Sequence, residues 1–154
     1  MGKKLYRIEW SFHAVENKEE IDGWTEVEAF AVAGGIQRKI WSDLRGNVSE
    51  ADIMSEFYEA RHFKNLTIEK LINRATLNID RIYYRKLSFR FTFIITSLSK
   101  GSSFKYLVLR AEDGKIPDLP LRDSKAEGLK VTFSNPEIKY FHADEDGAQV
   151  EDTL

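Results

Sequence analysis

Three histidines are the residues of this sequence best suited to acid–base or metal chemistry. They stand far apart, at His13, His62 and His142, and none has the HxxxH or HxE spacing that places two metal ligands on one helix face. The sequence contains no cysteine, which excludes thiolate ligands, disulfides and a cysteine nucleophile. We therefore predict no metal site and no cofactor.

Two of these histidines could still act together in catalysis. His13 and His142 each fall in a predicted strand, and two such residues can meet across a sheet as a general acid and a general base, as a nuclease or a cyclising phosphodiesterase requires. The plainer interpretation is a pair of half-exposed histidines. No serine lies in a GxSxG elbow, and Gly34-Gly35 begins neither a GxGxxG nor a GxxxxGK[ST] phosphate loop. A small enzyme using His13 and His142 is accordingly the third hypothesis, and we expect a non-catalytic protein.

A run of cations in the middle of the chain is the feature best suited to binding. Residues 61–90 hold eight basic and two acidic side chains, although the whole protein has a formal net charge of −2. If residues 67–84 form a helix, the cations of that helix fall within about 80° of one another, with a tyrosine beside them. The predicted partner-binding surface, which we call the basic face, comprises Lys70, Arg74, Asn78, Arg81, Tyr84 and Arg85.

A row of cations beside an aromatic ring suits two kinds of partner. The leading hypothesis is a protein partner with an acidic surface, which would make the chain an inhibitor, an immunity protein or an accessory factor. The alternative is a nucleic acid bound through the same face, for which the aromatic and basic run 81–86 is the supporting feature. The plainer interpretation is that these cations are the solvated side of an amphipathic helix, paired with the acidic segment 16–28 or with the acidic end of the chain. The oligomeric state stays open.

Apolar residues at helical spacing predict the helices that would carry this face. The strongest such pattern lies in residues 67–84, and shorter helices are predicted at 36–44 and at 49–61, the latter beginning at Ser49 as N-cap. Residues 24–33 are open between two structures. Thr25 and Glu28 have the spacing of a capping box, whereas Val27 and Phe30 favour a strand.

Alternation of apolar and polar residues predicts the strands. It is clearest in residues 5–14 and 87–96, and the second of these should form an antiparallel hairpin with residues 104–111. Two short strands, 129–133 and 138–142, flank Ser134-Asn135-Pro136 and predict a further hairpin.

The order of these elements predicts an α+β fold. We expect a mainly antiparallel sheet of about 4–6 strands with two to four helices packed on one face, in a single domain over residues 1–142. Residues 143–154 are acidic and are expected to be a disordered tail. No stretch has the length and apolarity of a membrane span, no signal-peptide pattern opens the chain, and we expect a cytoplasmic protein without a membrane partner.

Overall fold

The structure is a computed structural model that describes residues 5–32, 40–41, 49–98, 104–143 and 146–153. Within those ranges the chain forms eleven strands and two helices. In chain order they are β1 (Tyr6–Glu16), β2 (Glu19–Glu26), β3 (Ala29–Ala31), β4 (Ile40–Trp41), α1 (Glu50–Phe63), β5 (Asn65–Leu71), α2 (Ala75–Arg85), β6 (Phe89–Ser97), β7 (Tyr106–Gly114), β8 (Leu121–Arg122), β9 (Ala126–Thr132), β10 (Glu137–Ala143) and β11 (Gln149–Thr153).

The strands form two antiparallel sheets that face each other. The first sheet has six strands in the order β11-β10-β7-β6-β1-β2, and the second has five in the order β4-β3-β5-β9-β8. A bridge between Lys115, which follows β7, and Thr132 of β9 ties the two sheets together, with backbone hydrogen bonds of 2.9 Å in both directions.

One apolar core fills the space between the sheets. Strands β1 and β6 alternate strictly, so that every second side chain, such as Trp10 and Phe93, is buried while its neighbours face outward. Phe30 of the second sheet meets Phe93 with ring centroids 5.1 Å apart, and Phe57 of α1 packs against both rings. Aromatic rings in edge and tilted contacts thus join the two sheets and one helix.

Local sequence explains where α1 begins. The hydroxyl of Ser49 accepts a hydrogen bond from the Asp52 N–H, and the Asp52 carboxylate accepts one from the Ser49 N–H, which completes a capping box. The predicted N-cap is confirmed, as are the strands at 5–14 and 87–96 and the β6–β7 hairpin.

The predicted α+β class is wrong. Most described residues lie in strands, and the two helices do not form a layer on one face of a single sheet: α2 packs beside β2, whereas α1 lies near β5 and β10. Within the segment 24–33, left open in the sequence, residues 24–26 and 29–31 belong to β2 and β3 instead of a helix, and Ala33 lies outside the described residues. The helix predicted at 36–44 lies mostly outside the described residues, except for Ile40–Trp41, which form β4.

Two further expectations are corrected at the end of the chain. Strands β9 and β10 exist, but they do not form a hairpin, because β9 pairs with β5 in one sheet and β10 pairs with β7 in the other. The acidic tail is not disordered throughout, since residues 149–153 form β11 on the outer edge of β10. There Glu151 lies 2.9 Å from Lys139, so an ion pair supports the backbone pairing.

Candidate functional site

The structure divides the basic face between two elements. Residues 67–71 belong to β5, and α2 begins only at Ala75, so the single helix predicted over 67–84 is wrong in its first half. Lys70 lies on β5 with its side chain fully buried and therefore takes no part in a surface. The helix starts at a local turn in which Asn73 Oδ1 accepts from the Ala75 N–H and the Thr76 hydroxyl accepts from the Asn73 N–H.

The buried ammonium of Lys70 has its own partner inside the protein. Its Nζ lies 2.6 Å from Oε2 of Glu127, whose side chain is also fully buried, and 3.4 Å from the hydroxyl of Thr76. Thr76 in turn donates to the same Glu127 oxygen. An ion pair withdrawn from water requires such additional hydrogen bonds to compensate for lost hydration.

A second cation extends this cluster to the surface. Both Nε and Nη2 of Arg122 lie 3.1 Å from Oε1 of Glu127, and Nη2 lies 2.5 Å from Oδ1 of Asp80 on α2. These contacts connect α2 to β5, β8 and β9, and we call them the Lys70–Glu127 network.

Burial and hydrogen bonding shift the pKa values of both Lys70 and Glu127. Burial lowers the pKa of Lys70, and the hydrogen bond to Glu127 partly opposes that change. Burial alone would raise the pKa of Glu127, but hydrogen bonds from Lys70 and Thr76 outweigh it and hold the pKa below its ordinary value. The carboxylate form of Glu127 is therefore the stable one in the fold.

Two other arginines of the basic face, Arg81 and Arg85, form ion pairs with carboxylates of the same molecule. Nη1 of Arg85 lies 3.1 Å from Oε1 of Glu16 and 3.7 Å from Oε2 of Glu19, and Nη1 of Arg81 lies 3.7 Å from Oε1 of Glu19. Asn78 donates to the Asp22 carbonyl oxygen at 2.7 Å. These residues attach α2 to the acidic β1–β2 segment, as the plainer interpretation of the sequence anticipated.

Solvent reaches a smaller part of α2 than predicted. Tyr84 is 68% exposed and Leu77 is 61% exposed, and the exposed Arg74 makes no ion pair within the described ranges. These three residues form a mainly apolar surface, and the side chains of Arg81 and Arg85 beside it are also 41% exposed although their guanidinium groups face carboxylates. Whether it binds anything stays a prediction.

The histidines do not come together. His13 on β1 lies 4.0 Å from Asp22, His142 on β10 lies 2.8 Å from Asp152, and His62 is exposed on α1. Strands β6 and β7 separate β1 from β10, which amounts to about 14 Å across the sheet. The geometry that an acid–base pair of His13 and His142 requires is therefore not formed.

The part of the chain that the structure describes contains neither a cluster of metal ligands nor a helix that could span a membrane. No three carboxylate or histidine side chains there are placed to hold a metal ion together. No helix in these ranges is both long and apolar enough to cross a membrane.

An open groove of about 670 Å³ lies on the outer face of the six-stranded sheet. It crosses β2, β1, β6 and β7, and its polar lining includes Trp24, Ser11, Thr92, Arg90 and Arg110. No pattern in the sequence had indicated this groove. Alternation in β1 and β6 could have shown which side chains face outward, but only the register of four strands brings them together.

Comparisons with known proteins give a fold. Neither a protein-family model nor a curated protein sequence matches the chain. The chain is similar to a type six secretion system protein of known structure, with a TM-score of 0.54 and 12% identity over 97% of this chain and 91% of that one. It is also similar to the secreted protein Hcp3 from Pseudomonas aeruginosa, with a TM-score of 0.51 and 11% identity over 96% and 98% of the two chains. At this identity the likeness establishes a shared β-rich fold.

Proposed function

We propose that this chain is a non-catalytic structural and protein-interaction component of a secretion apparatus of the type six kind. The observation that carries the proposal is the similarity in fold to a type six secretion system protein, which covers nearly the whole of both chains. Function resides in the surfaces that a fold carries, so the decisive test identifies the partners that this chain contacts.

The exposed part of α2 is our candidate for the contact with a protein partner. Arg74 at the N-cap and Leu77 and Tyr84 on the helix combine a cation, an aliphatic side chain and an aromatic ring, and Tyr and Arg are enriched among residues that dominate interface energies. Nucleic-acid binding through the same helix is disfavoured, because Arg81 and Arg85 already face the carboxylates of Glu16 and Glu19.

Cross-linking in the cell of origin tests the assignment to a secretion apparatus. The full chain carrying an affinity tag is cross-linked in cells, purified under denaturing conditions and analysed by mass spectrometry. We expect cross-links to recognised components of a secretion apparatus. If such cells contain that apparatus and the chain cross-links to none of its components, the proposed function is wrong.

A matched pair of variants tests the surface separately. Tyr84→Ser should remove the cross-links that involve α2, whereas Tyr58→Ser should leave them intact, because Tyr58 is 62% exposed but lies on α1. If the two variants cross-link equally, α2 does not form the interface, and the proposed function is not contradicted.

A further inference from the structure

The groove on the outer face of the six-stranded sheet is built from two rows of side chains. Strand register places Trp24 opposite Ser11, Ser11 opposite Thr92, and Thr92 opposite Arg110. These four residues span four neighbouring strands, so about 14 Å separates the first from the last. In the second row Asp22 lies opposite His13, and His13 lies opposite Arg90, which is two residues from Thr92 on β6 and therefore points to the same side of the sheet.

Hydrogen-bond donors dominate the floor of this groove. Arg90 and Arg110 are both exposed, and neither forms an ion pair or a side-chain hydrogen bond within the described ranges. In contrast, Arg81, Arg85 and Arg122 all face carboxylates. The hydroxyls of Ser11 and Thr92, between the two arginines and Trp24, are likewise without a hydrogen bond in the same ranges.

Trp24 closes one end of the groove with an oriented ring. Its indole N–H donates to Oε2 of Glu9 at 2.8 Å, which fixes the side chain, yet the residue is 57% exposed. A flat ring held in place and open to solvent can stack on another flat ring.

Two acidic side chains, Asp22 and Glu112, also belong to the lining of the groove. Asp22 lies 4.0 Å from His13, and Glu112 lies two residues beyond Arg110 on β7. Glu137 faces Arg110 across the β7–β10 pair, but its carboxylate lies 3.6 Å from Lys139. Because the charges nearly balance, the groove has no strong positive field, and any selectivity must come from the arrangement of donors.

We propose that this groove binds a small ligand through a phosphate group, held by Arg90 and Arg110. Each guanidinium offers a planar fork of N–H groups, and the two forks stand on adjacent strands with the Ser11 and Thr92 hydroxyls beside them. This set of donors exceeds what the two oxygens of a carboxylate can accept and suits the three terminal oxygens of a phosphate monoester. A ligand that also carries a flat ring would place the ring on Trp24.

Titration of the full chain with three probes tests the site. Inorganic phosphate, AMP and adenosine are each added to protein labelled with ¹⁵N, and the Nε–Hε signals of the arginines are followed together with the heat of binding. We expect saturable binding of both phosphate-bearing probes at one site, with shifts at Arg90 and Arg110, and no binding of adenosine. If AMP binds more tightly than phosphate and Trp24→Ala abolishes this difference, the ligand carries a ring that stacks on Trp24. If the two probes bind equally, the site recognises the phosphate group alone.

Matched variants separate a built site from a general charge effect. Arg90→Gln and Arg110→Gln should each weaken phosphate binding by about tenfold, and Arg110→Lys should also weaken it because the ammonium cannot form the bidentate contact. Arg7→Gln should bind as the wild type does, since Arg7 lies on the same face of β1 but outside the groove. Glu112→Gln should tighten binding by removing a nearby negative charge.

Three results would overturn the proposal. The first is the absence of saturable phosphate binding at about 1 mM. The second is unchanged phosphate binding in both Arg90→Gln and Arg110→Gln. The third is a loss of phosphate binding in Arg7→Gln as large as the loss in those two variants. The substituted side chains are exposed, so each variant should keep the thermal unfolding midpoint of the wild type, which is checked first.

Discussion

At the scale of single residues, the most consequential position is Lys70. A lysine at a core position of β5 is tolerated because Glu127 and Thr76 satisfy its ammonium in a place that water does not reach. The pair also stabilises the position of α2, because Thr76 belongs to that helix and donates to the same carboxylate. Its loss should therefore affect more than one element.

Replacement of Glu127 should destabilise the protein strongly. Glu127→Gln leaves the Lys70 ammonium buried without its counter-ion, and we expect the free energy of unfolding to fall by about 3–5 kcal/mol. Urea denaturation followed by circular dichroism measures this value. The double variant Lys70→Met, Glu127→Leu should recover much of the loss, because it leaves no unpaired charge. A double variant no more stable than Glu127→Gln would contradict this explanation.

The same pair predicts how stability depends on pH. The pKa of Glu127 is lower in the folded protein than in the unfolded chain, so the stability that its carboxylate contributes is present above the unfolded pKa of about 4.3. That contribution is lost as the pH falls through the lower folded pKa. Denaturation at a series of pH values below 5 should show a shallower decline in Glu127→Gln than in the wild type, and parallel declines would exclude this role.

At the scale of elements, strands that alternate without interruption could be predicted from sequence, and interrupted ones could not. Strand β1 and strand β6 bury an apolar side chain at every second position. In β5 the buried positions are Leu66, Ile68 and Lys70. Because Lys70 is charged, the alternation of β5 is not apparent in the sequence. The apolar residues 68, 71 and 72 have helical spacing and appear continuous with the apolar face of α2.

The end of an element is easiest to predict where a side chain and the backbone bond locally. Ser49 and Asp52 are three residues apart, so their capping box needs no knowledge of the fold. The contacts between α2 and Glu16 or Glu19 join residues more than sixty positions apart. For that reason the sequence could suggest the acidic segment 16–28 as a partner of the basic face, but it could not predict which carboxylate each arginine contacts.

The capping box gives a direct test at this scale. Ser49→Ala removes the acceptor for the Asp52 N–H, and we expect a loss of about 1 kcal/mol in the free energy of unfolding. Ser55→Ala is the matched control, since Ser55 is exposed inside α1 and alanine favours a helix interior. Thermal unfolding of the two variants should move in opposite directions, and a Ser49→Ala variant as stable as the wild type would show that tertiary packing alone fixes α1.

At the scale of the whole molecule, the topology depends on a change of sheet that no local pattern records. After β9 the chain leaves one sheet and enters the other at β10, although only four residues separate the two strands. Backbone hydrogen bonds mark the crossing point: Phe133 N–H donates to the Lys64 carbonyl oxygen, and the Ser134 N–H donates to Asp113. A short connection normally favours a hairpin, which is why sequence reasoning paired the two strands.

Strand β11 has a consequence for the behaviour of the protein in solution. By pairing with β10, it occupies the backbone N–H and C=O groups that would otherwise recruit an extended segment from another molecule. Deletion of residues 149–153 should leave the fold intact but promote self-association, which light scattering over a concentration series would detect as a rise in average mass. A truncated protein that stays as dispersed as the full chain would show that β10 has another safeguard. If the average mass does rise, the acidic segment that the composition predicts to be a disordered tail protects the protein against aggregation.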